Sequence, residues 1–270
     1  MTAIRTLYVN NLSASYAKKL VLKNLSVSVK AGELTCLCGP NGCGKSTLLS
    51  VLAGVPEEGL TLLKGPAGKN PLPSKDHDAL DALSLLKLAR KESARLVAFM
   101  QQQEFSTWNF TVRELVVQGR FCHTKNGFYT AADEELADQA LEELQITALA
   151  HRPLHSLSGG EFQKARIARA ICQQAQFILL DEPAANLDFV YEPWLMKKLQ
   201  KLAHEKGLGI LMSVHDVNLA ANWADTLILL PLLQQVICGK IKDTLTKENL
   251  KLTYGMEFEC QKVNYFQSLL

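Results

Sequence analysis

The chain has no long hydrophobic run. Its most apolar stretch, TLILLPLLQQVIC from Thr226 to Cys238, is interrupted by Pro231 and two glutamines. It falls short of the roughly 18 residues that a membrane-crossing helix needs. The N-terminus, MTAIRTLYVNNLS, has neither the basic start nor the apolar core of a secretory leader. The chain is therefore expected in the cytosol, meeting any membrane through a partner. Charge of one sign is also missing, because 29 basic against 27 acidic residues leave +2. A nucleic-acid binder normally carries a basic stripe, so no nucleic-acid partner is expected. Internal repeats and low-complexity tracts are lacking as well.

Cysteine is present without pairing. The seven are Cys36, Cys38, Cys43, Cys122, Cys172, Cys238 and Cys260, an odd number at irregular spacing that suits a reducing compartment. Cys36, Cys38 and Cys43 are close enough to suggest metal ligands. Cys36 and Cys38, however, alternate along an apparent strand, and no His or second Cys pair lies nearby in sequence. Small buried residues are the preferred reading. What remains is an ordinary globular composition, 47% hydrophobic and 21% charged over 270 residues. At about 150 residues per domain, this is one large domain or one domain with a sizeable insertion.

Leu7-Tyr8-Val9 and Leu25 to Val29 alternate with period two, as strands do. Leu34 to Cys38 is a compact apolar strand that feeds a glycine-rich turn and a helix from Lys45 to Ala53. Residues 65–82, rich in Pro, Gly, Lys and Asp, read as an exposed loop, and Arg95 to Met100 resumes as a strand. Helical spacing runs from Val112 to Leu149. Strand and helix then alternate: Phe177 to Leu180, Pro193 to His204, Leu208 to Val214, Val217 to Ala224. Such alternation calls for a mostly parallel sheet, here with a helical insertion.

Three motifs carry chemistry. Gly39-Pro40-Asn41-Gly42-Cys43-Gly44-Lys45-Ser46 matches G-x-x-x-x-G-K-[ST]. Its glycines let backbone N–H groups turn inward on phosphate oxygens, Lys45 reaches the outer phosphates, and the Ser46 hydroxyl can ligate Mg²⁺. The helix that follows, with Thr47 in its first turn, adds its positive end. Phe177 to Leu180 then runs into Asp181-Glu182, placing two carboxylates at the carboxyl end of a central strand, where open α/β sheets bind ligands. Asp181 suits Mg²⁺, and Glu182 suits the polarising of an attacking water. The third motif is Leu157-Ser158-Gly159-Gly160-Glu161. Ser158 and Glu161 fit a capping box, yet two glycines weaken a first turn by up to about 1 kcal/mol each. They make sense where a phosphate or another backbone approaches closely.

With these residues in order, the chain resembles the ATP-binding-cassette ATPases, whose signature is LSGGQ where this chain has LSGGE followed by FQKARIARAI. The resemblance covers nearly the whole chain. It implies an α/β fold with a P-loop NTPase (RecA-like) core, an N-terminal antiparallel β-subdomain and an inserted helical subdomain. Residues 1–103 and 161–240 would form the core, 104–160 the helical subdomain and 241–270 a C-terminal segment. It also implies ATP and Mg²⁺ as ligands and further roles by position. Tyr16 would stack on adenine, Ala184 to Asp188 would cross between two subunits, and His215 would sit near the γ-phosphate. The run Gln101-Gln102-Gln103 offers three candidates for the loop glutamine that senses Mg²⁺; Gln102 aligns with the family's V-A-x-x-x-Q.

The same resemblance implies a head-to-tail dimer in which the Lys45 loop of one chain faces Ser158 and Gly160 of the other. Thr111 to Val116, Gly119-Arg120, His215 to Ala221 and Glu248 to Gly255 are similar to the branch that imports metal chelates, namely siderophores, haem and vitamin B12. That implies ATP-driven uptake through transmembrane permease subunits at the cytoplasmic face of a bacterial inner membrane, with a substrate-binding protein beyond. A soluble cassette of the iron–sulfur assembly type is the alternative, and a small-molecule kinase gives no reason for Leu157 to Glu161. Pro231-Leu232-Leu233 stands where the family has a polar turn, and packing against the chain's own C-terminal segment is expected there.

Overall fold

The computed structural model describes residues 4–64, 78–104, 109–185 and 187–259. Two sheets meet across a shared core. The first is largely antiparallel and comprises β1 (Thr6–Tyr16), β2 (Lys19–Lys30), β4 (Leu60–Lys64) and β5 (Ala79–Asp81). The second has the order β10-β9-β3-β8-β7-β6. Its strands are β3 (Leu34–Cys38), β6 (Val97–Met100), β7 (Phe177–Leu180), β8 (Gly209–Ser213), β9 (Thr226–Leu229) and β10 (Ile237–Lys240). All of its neighbours pair in parallel except β9 and β10.

The helices are α1 (Lys45–Leu52), α2 (Ala82–Leu85), α3 (Arg90–Leu96), α4 (Val112–Val117), α5 (Ala131–Glu143), α6 (Gly159–Cys172), α7 (Tyr191–Lys206), α8 (Val217–Trp223), α9 (Ile241–Thr244) and α10 (Lys247–Tyr254). A parallel sheet covered on both faces needs apolar residues at every position, and β3, β7 and β8 are buried throughout. Alternate residues serve opposite faces. Leu34, Cys36 and Cys38 join Ile178, Leu180, Ile210 and Met212 beneath α4 to α8. Leu37, Phe177, Leu179 and Leu211 meet α1 and the first sheet. Cys43 belongs to that second face, so the three neighbouring cysteines do not point one way. Burial pushes the Cys38 thiol up to about 12.

Several expectations change at this level. Within residues 65–82, positions 65–77 lie outside the described residues. Ala79–Asp81, read as loop, is a strand parallel to β1, anchored where the Arg5 amide donates to the Asp78 carbonyl at 2.7 Å. Arg95 and Leu96 end α3 rather than begin a strand. The helical run from Val112 to Leu149 breaks after α4 into a 3-10 stretch, Gln118–His123. There Gly119 lies so close to α6 that a Cβ would stand 2.4 Å from the Arg169 carbonyl oxygen. The turn after Leu230, where Leu233 adopts φ 53°, keeps Leu232 57% and Leu233 41% exposed. The described C-terminal residues therefore do not cover it, and residues 260–270 lie outside the described range.

The 3-10 stretch is fixed by a buried ion pair. Arg120 Nε donates to Asp133 Oδ1 at 3.0 Å, and its Nη1 donates to the Cys172 carbonyl at 3.2 Å. The Thr130 amide and hydroxyl, together with Arg120, hold the Asp133 carboxyl down at about 2, against 3.8 ordinarily. A folded-state value below the unfolded one means that this stability is complete above pH about 4 and is lost as pH falls through about 2. Acid unfolding followed by circular dichroism is expected to show that loss, and Asp133→Asn to flatten it.

Candidate functional site

Four segments leave the carboxyl edge of the parallel sheet side by side, after β6, β7, β8 and β3. Such an edge collects loops from consecutive strands into one crevice. After β3, residues 39–44 wind into α1 with Gly42 at φ 77° and Gly44 at φ 101°. A Cβ on Gly39 would stand 2.5 Å from the Leu230 carbonyl oxygen, so only glycine lets the loop begin there. Lys45, 7% exposed, donates from Nζ to the Gly39 carbonyl at 2.9 Å and to Pro40 at 3.2 Å. Its ammonium thus sits within the loop that it would serve. Ser46 is half-buried and Thr47 buried. Tyr16, at the end of β1, bonds Glu57 through its hydroxyl and lies beside the Thr47 side chain.

Asp181 and Glu182 follow β7. Asp181 is 2% exposed, and its Oδ1 accepts from Ser213 Oγ at 2.6 Å. The same Ser213 oxygen accepts the Glu182 amide at 2.8 Å. Glu182 holds φ 49°, a left-handed conformation that costs a non-glycine residue about 1–3 kcal/mol. Its side chain is gripped at both oxygens: His215 Nε2 lies 2.7 Å from Oε1, and Gln102 Nε2 donates to Oε2 at 2.7 Å. Of the three neighbouring glutamines, Gln102 is therefore the one that reaches this carboxylate. The donor set of Ser46 hydroxyl, Asp181 carboxylate and Gln102 amide oxygen is all oxygen, which fits Mg²⁺.

Sequence reasoning missed the supports behind this cluster. Lys164 and Arg166 on α6 are charged yet only 9% and 3% exposed. Lys164 lies over the Tyr191 ring. Arg166 donates to the Gln101 carbonyl, to the Gln102 carbonyl at 3.4 Å and to Gln163 Oε1 at 2.9 Å, and pairs with Glu104 at 3.2 Å. Gln163 Nε2 donates to the carbonyls of Glu182 and Pro183, both at 3.1 Å. Burial alone would raise the Glu104 carboxyl, but Arg169 and Arg166 outweigh it and hold the group below its usual range. The available signal was the i, i+3 spacing of Gln163 and Arg166, which puts both on one helix face.

Ser158 caps α6, its hydroxyl donating to Glu161 Oε2 at 2.9 Å, so the capping box forms. Gly159 is exposed, Gly160 half-buried. Asp188 is exposed and accepts the Tyr191 amide at 2.9 Å at the start of α7. Among the described residues, no hydrogen bond or ion pair joins Ser158, Gly159, Gly160 or Asp188 to residues 39–47. Asn186 lies outside them. A cavity of about 600 Å³ opens between α5, α6 and α7, lined by Glu143, Lys198 and Lys206 among others, and no residue of the carboxyl-edge cluster lines it.

A family model described as ABC transporter matches residues 22–185. The chain belongs to the ABC transporter family. It is similar to the petrobactin import ATP-binding protein of Bacillus anthracis, with 33% identity over 93% of this chain and 87% of the relative. The hemin import ATP-binding protein of Bordetella avium is 34% identical over 93% of each chain. Among solved structures, a metal-chelate type ABC transporter in an inward-facing conformation aligns at TM-score 0.76 and 27% identity, over 98% of this chain and 94% of that one. A dimeric bacterial cassette aligns at TM-score 0.68 and 23% identity, over 87% and 98%, which speaks to fold alone. The ABC chain is accordingly an ATP-hydrolysing subunit of the P-loop NTPase type. ABC importer ATPases work as dimers with transmembrane permeases. Within this chain, no helix of the described residues is long and apolar enough to cross a membrane.

Proposed function

We propose that this ABC ATPase powers import of a metal chelate of the siderophore, haem or cobalamin type. The observation that carries the catalytic part is Glu182, held between Gln102 and His215 at 2.7 Å on either side. Glu182 polarises the attacking water as general base. Lys45 and the amides of residues 39–47 take the triphosphate, Tyr16 stacks on the adenine, and His215 aligns Glu182 with the γ-phosphate. Ser46, Asp181 and Gln102 would hold Mg²⁺, which neutralises charge on the phosphate oxygens when bound.

Among the described residues, Ser158, Gly159, Gly160 and Asp188 have no bonding link to the phosphate loop of their own chain. They serve the ATP held by a second copy in a head-to-tail dimer. In this reading residues 1–103 and 161–240 are the nucleotide core, 104–160 the subdomain that grips the permease, and 241–270 a C-terminal segment. The protein works at the cytoplasmic face of the bacterial inner membrane, supplied by a substrate-binding protein. The import names of the relatives at 33% and 34% identity support the cargo class over an iron–sulfur assembly role.

The test is co-purification from detergent-solubilised membranes of the native host. A stoichiometric polytopic permease is the expected partner. Recovery only with cytosolic partners would refute import while leaving ATP hydrolysis intact.

A further inference from the structure

The chain's last described helix reaches back to the nucleotide site. Tyr254 ends α10, where Gly255 at φ 72° turns the chain away. Its ring packs on the helix-covered face of the core, with the Phe258 centroid 5.7 Å away. The Tyr254 hydroxyl is fully buried and has no hydrogen-bond partner among the described residues. The Gly39 backbone, the Cys38 and Cys43 thiols and the Asp216 carboxylate are near enough to act on it electrostatically. Burial first, then the two thiols and Asp216, drives the phenol well above its ordinary range, while the Gly39 backbone acts the other way. Gly39 opens the phosphate loop and Asp216 follows His215, so one side chain stands behind two of the segments that meet at the site.

A phenylalanine would fill the same volume without leaving a buried hydroxyl unsatisfied. The Gly39 backbone amide is the donor nearest in kind to what that unpartnered hydroxyl lacks, and it acts on the phenol in the direction a donor would. We propose that Tyr254 is a positioning residue for the phosphate loop. Its hydroxyl accepts the Gly39 amide as the loop closes on the phosphates of ATP, so that α10 backs the nucleotide site. This rests on reading residues 39–47 as that site.

The experiment compares wild type, Tyr254→Phe and Lys45→Ala as full-length chains. It measures KM and kcat for ATP hydrolysis, and thermal midpoints with and without ATP. Tyr254→Phe is expected to raise KM about 5- to 30-fold while kcat stays within about twofold. Its midpoint without nucleotide should match or exceed wild type, and the rise on adding ATP should shrink. Unchanged KM in Tyr254→Phe, with Lys45→Ala unable to bind ATP, overturns the role of Tyr254 alone. A midpoint that falls equally with and without ATP does the same, since that marks a purely structural hydroxyl. Normal ATP binding by Lys45→Ala overturns the loop reading, and this proposal with it.

Discussion

Glu182→Gln is expected to lower ATP turnover by about 10²- to 10⁴-fold, the contribution of a positioned general base. ATP binding should survive, because in the proposed site Lys45 and the loop it bonds would hold the phosphates. The amide keeps the size of the carboxylate; its oxygen accepts from Gln102 and its NH2 can donate to a neutral His215 nitrogen, while the proton acceptor is gone. ATP is then bound but not consumed, and the dimer should persist in light scattering after mixing. Steady-state phosphate release is the primary readout. Turnover within threefold of wild type would remove Glu182 from the role of base.

The second large effect is expected at a residue that touches no nucleotide. Arg166→Met removes donors from the Gln101 and Gln102 carbonyls and from Gln163, and removes one of two cations from Glu104. Breaking a buried charge network at one member typically costs about 3–5 kcal/mol. Arg169 still pairs with Glu104, which favours the lower end. Urea unfolding should give the loss directly. The surviving folded fraction should also hydrolyse ATP slowly, since the backbone carrying Gln102 has lost its anchor. Wild-type turnover in a destabilised Arg166→Met would separate stability from positioning and reject the second role.

These two residues show what the sequence could and could not disclose. Glu182 was legible because its neighbours along the chain explain it: four apolar residues put it at a strand end, and the phosphate loop gave that strand end a purpose. Arg166 was legible only as sharing a helix face with Gln163. Its partners are backbone carbonyls more than sixty residues away, 65 for Gln101 and 64 for Gln102, and a backbone acceptor leaves no mark in composition or spacing. The helix at Arg90–Leu96 was hidden likewise, because its short polar segment RKESARL has little apolar periodicity of its own. The strand at Ala79–Asp81 lay in a stretch dominated by Pro, Gly and Asp, and pairing with β1 overrode that local composition. The apolar turn at Leu232 and Leu233 was legible as unusual, but its exposure was not, since whether the C-terminal segment covers it is a long-range matter.

The most direct test of the central claim is uptake. Membrane vesicles carrying this chain and its permease, loaded with ATP, would be offered a radiolabelled ferric siderophore, haem or cobalamin with its binding protein. The account predicts ATP-dependent accumulation of one of these chelates, abolished when Glu182→Gln replaces the wild-type chain in the same vesicles. Vigorous ATP hydrolysis by the assembled complex with no accumulation of any of the three would contradict it.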